Sequence, residues 1–416
     1  MNEERSRPDA EAVTQRVGGV PRWVVWTIFG MMGWLFMYAD RAVLSPVLRA
    51  IGADFQVGPA ALGLIPTSFF LAYTVLQIPV GWWADRTHPG YLLVAGFLGF
   101  GLFTALSGAV SAYPALLATQ VLAGATQATY YPTQYAITTR LVPLRWRTVG
   151  TSLVNAGQGI GIAVGFALAG RLAQTAGSWR LPFVLLGVLT VLAGLALWWP
   201  AVRWGSRPAA GAVPRRAGRL DVRRVGPLFA VNFTSLFGFF FMLSWFPYYL
   251  ESQLGVDPGT AGRDSALMPL VSVPAAIAFA RWADRLGQRR RLLRGLLGAA
   301  AVSLALVPLF GRTAALAAVL AGVYGVVGKL TADPLVAAEA AAASPPEHYG
   351  WLFGWLNFSG MAASVVAPLV AGFLAAATGT LAAGFWLSAA LLGVGAGVLS
   401  WRDRRAEEAQ TGGLAG

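Results

Sequence analysis

Asp40 and Arg41 stand side by side in Tyr38-Ala39-Asp40-Arg41, inside an apolar run from about Trp23 to Leu48. Roughly 20 apolar residues cross a bilayer as a helix. A charge near the bilayer centre costs about 2.5–3.5 kcal/mol even on lenient scales, so two retained charges point to use. A guanidinium takes a carboxylate in a two-pronged fork, and a carboxylate can carry a proton. The plain alternative is that both snorkel to the interface and anchor the helix. Helix neighbours point about 100° apart, so the two need not pair. Asp40 is the candidate proton-coupling group, set against a standing salt bridge to Arg41 or Lys329.

Lys329 is the only lysine among the 31 Lys and Arg residues, and it falls in the middle of another apolar run. An ammonium is a compact charge that can lose its proton when desolvated; a guanidinium is neither. Asp333 follows at i+4 on the same helix face. Either the two neutralise each other, or Lys329 binds an anion with Asp333 as its charge partner. Tyr73, Gln77, Gln127, Asn232, Trp245 and Asn357 could bond or stack on a ligand. Each could instead bond between helices for a modest energy. Glu339 reads as a gate or interface charge, and His88 and His348 as loop residues. The sequence carries no phosphate loop, metal-ligand cluster or nucleophile–base pair. It therefore implies no enzyme activity, no cofactor, no metal and no ATP drive.

The elements that must hold these groups are membrane helices. The chain is 56% hydrophobic and 12% charged, where a soluble domain averages about 25% charged. Twelve apolar runs can be marked: about 23–48, 59–83, 91–110, 114–141, 147–172, 180–202, 226–251, 260–283, 293–311, 314–342, 349–376 and 380–401. The expectation is an all-α integral membrane protein of twelve transmembrane helices. Prolines inside several runs (Pro66, Pro79, Pro132, Pro269, Pro274, Pro368) are tolerated where neighbouring helices satisfy the freed backbone. With no cysteine there is no disulfide framework. Residues 1–22 form a polar tail without the pattern of a signal peptide. The divisions are that tail, a bundle over 23–202, a linker over 203–225, a bundle over 226–402 and a tail over 403–416.

The net charge of +13 does not mark a nucleic-acid binder, because the arginines mark one side of a membrane. With twelve helices, one side takes the N-tail arginines, Arg86, the 140–147 and 203–224 clusters, Arg281 to Arg294 and Arg402 to Arg405. The other takes Arg49, Arg171, Arg180, Arg263 and Arg312. Cytoplasmic loops carry the excess of basic residues, which places both termini in the cytoplasm. The basic linker sets topology, with unspecific contact to lipid headgroups as the other reading.

Trp83-Ala84-Asp85-Arg86 recurs as Trp282-Ala283-Asp284-Arg285, after the second helix of each half. Asn155-Ala156-Gly157 has a looser echo in Asn357-Phe358-Ser359-Gly360. Parallel repeats of this kind pack about an axis along the membrane normal, with a substrate site between them. The repeat resembles the loop motif of the major facilitator superfamily, roughly G-x-x-x-D-R-x-G-R-[RK]. Gly81, Asp85 and Arg86 carry the first copy, whose basic end is missing. Asp284, Arg285, Gly287 and Arg289 to Arg291 carry the second. The resemblance implies a cytoplasmic gate at Gly81, Asp85, Arg86, Asp284, Arg285 and Arg289, and two pseudo-symmetric six-helix bundles.

Within the superfamily the chain is most similar to the anion:cation symporters, which include bacterial sugar-acid and carboxylate transporters. Tyr38 to Arg41 resembles their first helix and Phe69 to Gly81 their second. Trp245-Phe246-Pro247-Tyr248-Tyr249-Leu250 resembles the end of their seventh, and Gly350 to Gly360 their eleventh. One departure stands out. Their fourth helix runs R-x-L-x-G-x-x-E before an aromatic-proline pair, and here Gln120 and Gln127 replace both charges. A glutamine cannot carry a proton, so proton symport would rest on Asp40.

The resemblance implies a secondary active transporter in the cell membrane, a bacterial inner membrane, moving a small organic anion by alternating access. Helices 1 and 10 line the cavity in this fold, so Arg41 and Lys329 could hold one anion between them. Proton-coupled import is the leading mode. The alternatives are an anion exchanger, an exporter of amphipathic compounds and a transport-dead sensor. The implied partners are the anion, protons or a counter-anion, and membrane lipid, with the chain acting as a monomer.

Overall fold

The computed structural model describes residues 16–84, 86–143, 146–205, 222–344 and 349–412. In chain order the helices are α1 (Arg22–Ala42), α2 (Leu48–Phe55), α3 (Pro59–Ala84), α4 (Pro89–Ser107), α5 (Tyr113–Gln127), α6 (Tyr130–Leu141), α7 (Arg147–Ala176) and α8 (Arg180–Trp204). Then follow α9 (Val222–Gln253), α10 (Pro258–Ser265), α11 (Leu267–Leu286), α12 (Arg289–Phe310), α13 (Ala314–Val327), α14 (Lys329–Ala342), α15 (Tyr349–Thr378) and α16 (Ala382–Gly412). Among the described residues the other regular elements are a 3₁₀ turn at Ser45–Val47 and a hairpin before α1. In the hairpin β1 (Arg16–Val17) pairs antiparallel with β2 (Val20–Pro21).

Ten stretches among the described residues are long and apolar enough to cross a membrane. The other two runs marked in the sequence appear as α1 and as the pair α5 and α6. Trp23, Trp26, Trp34 and Asp40 lower the hydropathy of α1. The 114–141 run is broken at Ala128 and Thr129. Pro132 cannot donate to the carbonyl four residues back, and its ring crowds that carbonyl. The run expected over 314–342 is likewise divided: Gly328 adopts φ −81° and ψ −159° between α13 and α14.

Two compact units result. Met1–Val47 with Ser68–Ala212 form one, and Leu48–Thr67 with Val213–Gly416 form the other. In the first, α1 packs along α7 and α4 along α8. The glycines of α7 set the spacing. A Cβ at Gly157, Gly161 or Gly165 would run into the carbonyls of Met31, Leu35 and Ala39 in turn. Close backbone approach at small residues is how membrane helices gain packing without a hydrophobic driving force. It fixes the last turns of α1, where Asp40 and Arg41 lie. In the second unit α9 packs along α15 and α12 along α16. The middle of α9 is an aromatic core, with Phe239, Phe240, Phe241, Trp245 and Phe246 all fully buried. Ile78, Val75, Val302 and Val394 are among the large apolar side chains left on the surface, as suits hydrocarbon surroundings.

The linker lies mostly outside the described residues, as do Asp85 and the side chain of Asp284.

Candidate anion-binding site

Regular helix ends at Ala42, one residue after Arg41, although the chain from Val43 to Leu48 stays buried. Ser45-Pro46 begins the 3₁₀ turn. Arg41 thus sits in the last turn of α1, where unpaired carbonyls favour a cation. Its guanidinium is framed by aromatic rings. The central carbon is 4.8 Å from the Tyr38 ring and 4.7 Å from the Tyr73 ring, with Phe70 at 5.6 Å and Phe69 at 5.8 Å. Phe69 and Tyr73 are one helical turn apart on α3 and their rings stack.

The Nε edge of this guanidinium is occupied. Arg41 Nε donates to Gln127 Oε1 at 2.7 Å. At the other end Nη2 is buried and makes no hydrogen bond to the described residues. A carboxylate approaching Arg41 would therefore meet the Nη end, where the Nη2 donor has no partner among the described residues. Gln127 is 1% exposed and its Nε2 donor also lacks a partner among the described residues. The Tyr73 hydroxyl faces both Arg41 and Gln77. Gln120, the other glutamine of the departed motif, is buried against the Ser107 hydroxyl at 3.4 Å.

Asp40 points elsewhere, as adjacent helical residues must. It is 6% exposed, and neither carboxylate oxygen has a hydrogen-bond partner among the described residues. The Thr104 hydroxyl of α4 and the Thr190 hydroxyl of α8 are the polar groups facing it, both short of good hydrogen-bond geometry. Asp40 forms no ion pair with Arg41.

In the second unit Lys329 opens α14 directly after the break at Gly328. Its Nζ lies 2.5 Å from Asp333 Oδ2 and 5.2 Å from the centre of the Phe239 ring. The lysine side chain is 9% exposed and the aspartate 39%. Lys329 and Asp333 thus form an ion pair, of which Asp333 is the more accessible member. Tyr324, packed on Gly328, keeps a buried hydroxyl without a hydrogen-bond partner among the described residues and faces Asp333.

Two other candidates are committed to neighbouring helices. Asn232 Nδ2 donates to the Leu356 carbonyl at 2.6 Å, and Trp245 Nε1 to the Pro368 carbonyl at 3.1 Å. Both bonds join α9 to α15. Asn357 is half-buried on α15.

Of the gate motif, Gly81 has open space beside it. Arg86 turns back over the Trp82 ring at 3.9 Å, and Arg285 is exposed. The firm charge contact is next to the motif: Arg290 Nε meets Glu339 Oε2 at 2.5 Å, joining α12 to α14. Reading the sequence found Glu339 as a charge at an interface but not its arginine. It also passed over Tyr38 as a wall of the Arg41 frame, and Arg49 and Glu251, which meet between α2 and α9. An arginine in a loop and a glutamate at a helix end look like ordinary surface charges until the fold buries one of them.

Among curated proteins the chain is similar to a probable galactarate/D-glucarate transporter of Escherichia coli (strain K12). The two are 24% identical over 386 residues, 81% of this chain and 84% of that protein. A probable sulfoacetate transporter of Cupriavidus necator is 27% identical over 399 residues, 89% of this chain and 91% of its own. Among solved structures, a bacterial homolog of the human lysosomal transporter Spinster superposes with a TM-score of 0.76 at 16% identity. That match covers 93% of this chain and 98% of the other, and it speaks to the fold. The family profile of the Major Facilitator Superfamily matches residues 30–335 and 228–415, and the chain belongs to that family.

Proposed function

We propose that this multi-pass membrane protein is a secondary active transporter that moves a small organic anion, a carboxylate or sugar acid, across a bacterial inner membrane. It spans the membrane twelve times with both termini in the cytoplasm and works as a monomer by alternating access. The observation that carries the reading is the Arg41 frame. A guanidinium with one edge held by Gln127 and its Nη2 donor without a partner among the described residues, walled by Tyr38 and Tyr73, is shaped for one carboxylate. The names of the relatives, which refer to sugar acids and sulfoacetate, point the same way. Gln77, Gln127 and Tyr73 would bond the hydroxyls of a sugar acid. Lys329 with Asp333 would supply the second charged centre, assisted by Asn357. Asn232 and Trp245 are proposed to shape the site through the α9–α15 contact. Arg86, Arg285 and Arg289, with Asp85 and Asp284, would act at the cytoplasmic gate.

Proton-coupled import is the leading mode, with Asp40 as the carboxyl that exchanges its proton. The anion exchanger is the second reading. It is favoured by Gln127, which holds Arg41 as a glutamate would but cannot take up a proton. The test is uptake into proteoliposomes of sugar acids, monocarboxylates and dicarboxylates, with and without an inward proton gradient. Gradient-driven uptake is expected, lost in Arg41→Ala. Uptake that ignores the gradient but needs a counter-anion inside establishes the exchanger. A panel that stays silent throughout rejects both.

A further inference from the structure

Leu48–Thr67 precede the linker in the chain yet pack with the second unit. Three contacts form the seam. Arg49 Nη1 donates to the Glu251 carbonyl at 2.8 Å, and Thr67 Oγ1 to the Val365 carbonyl at 3.1 Å. Between them α3 and α15 meet at glycines. A Cβ on Gly63 would lie 2.7 Å from the Pro368 carbonyl, and one on Gly372 would lie 2.7 Å from the Pro59 carbonyl.

Glu251 is buried in this seam at 2% exposure, and its Oε1 has no hydrogen-bond donor among the described residues. Arg49 bonds the backbone of Glu251, not its carboxylate. The charged and titratable groups that face the carboxylate are Arg49 from α2, Asp257 from the turn before α10, and Tyr248 on its own helix. Arg49 attracts the ionised form and Asp257 repels it. A buried polar atom left without a partner carries the full cost of its desolvation, and the cost is larger for an ion. If the seam opens, water supplies the missing donors.

We propose that Glu251 is a proton-binding site that latches this seam: protonated, it lets Leu48–Thr67 stay docked on α9 and α15, and ionised, it favours their release. A ligand shifts an equilibrium only by binding two states unequally, and here the ligand is the proton. The inference rests on the alternating-access reading, which makes opening of the seam part of the cycle. On the charge-derived topology the seam faces outward, so external acidity would hold it shut.

The chain contains no cysteine, so Thr67→Cys places a single thiol at the seam. The full-length protein in proteoliposomes, with no substrate present, is labelled with a membrane-impermeant thiol reagent between about pH 5.5 and about pH 8.5. Each rate is normalised to the unfolded chain at the same pH, which removes the reagent's own pH dependence. Labelling is expected to rise roughly tenfold toward the alkaline end. Glu251→Gln should stay slow and flat, while Glu251→Asp should keep a slope. A Glu251→Gln chain that follows its parent's slope, or a parent without one, overturns the latch. If Glu251→Gln does not fold, Arg49→Gln decides. Removing the cation that offsets the buried charge must increase labelling at alkaline pH, and an unchanged profile overturns the proposal. Because no substrate takes part, a silent uptake panel would reject the anion reading and leave this result standing.

Discussion

Gln127→Glu is the most informative single change at the Arg41 frame. Gln127 Oε1 accepts from Arg41 Nε at 2.7 Å, and a glutamate fits the same space and keeps the same bond. What changes is charge. A substrate carboxylate on the Nη end and the introduced carboxylate on the Nε edge would flank one guanidinium, about 5 Å apart. At an effective dielectric of about 20, like charges at that distance repel by about 3 kcal/mol. Each 1.4 kcal/mol is tenfold in affinity, so anion binding at neutral pH should weaken on the order of 100-fold. The loss should be reversible by acid, because protonating the introduced carboxyl removes the repulsion and leaves its oxygen as an acceptor. The assay is equilibrium binding of a sugar acid to purified protein across the acidic range, wild type against Gln127→Glu. Undiminished affinity at neutral pH would mean that the anion does not bind beside Arg41. A loss equal at every pH would mean that geometry, not charge, had been disturbed.

Removing one partner of a fully buried ion pair costs about 3–5 kcal/mol, but Asp333 is 39% exposed. Lys329→Gln should therefore cost less, about 1–2 kcal/mol, and the added change Asp333→Asn should recover most of it in thermal unfolding. If the single variant is as stable as wild type but fails to transport, the lysine serves the substrate, not the packing. At the start of α10 the Asp257 carboxylate accepts from the Thr260 amide at 2.9 Å and its hydroxyl at 2.7 Å. These bonds hold its pKa below the usual carboxylate value. A depressed folded-state pKa stabilises fully above the unfolded value, near 3.9, and the benefit disappears as pH falls through the folded value. Asp257→Ala should lose about 1 kcal/mol at neutral pH. The melting curves of variant and wild type should converge only in strong acid, and a gap that persists there would contradict a capping role.

The fold was legible because hydrophobic run length is a strong signal. Helix interruptions were not, since each depends on local backbone geometry that run length ignores. Pro132 divides 114–141 because it lacks a donor and crowds the carbonyl four residues back. Other prolines, such as Pro66 in α3, leave their helices unbroken. Gly328 leaves helical geometry while Gly325 stays within α13. From composition the two glycines look alike.

The candidate site was legible in its charges and illegible in their directions. An aspartate next to an arginine announces a polar spot in an apolar helix, and the period of the helix says that the two diverge. Which neighbour each meets depends on how α1 is rotated against α3, α4, α5 and α8. That rotation is set by the α7 glycines, far along the chain. Arg41 accordingly finds Gln127 and the Tyr73 face, while Asp40 finds only two threonines. Gln127 shows the same limit from the other side. As a departure from a motif it reads as a lost proton carrier, but in place it also holds the Nε edge of Arg41, away from the Nη2 donor that has no partner among the described residues. A glutamate there would hold the same edge and cancel the charge that an anion needs whenever it is ionised. A glutamine puts no negative charge beside Arg41 at any pH, so the substitution removes a proton-binding group from α5 and leaves the guanidinium's charge uncompensated there, and any coupling to protons must come from carboxyls elsewhere in the chain.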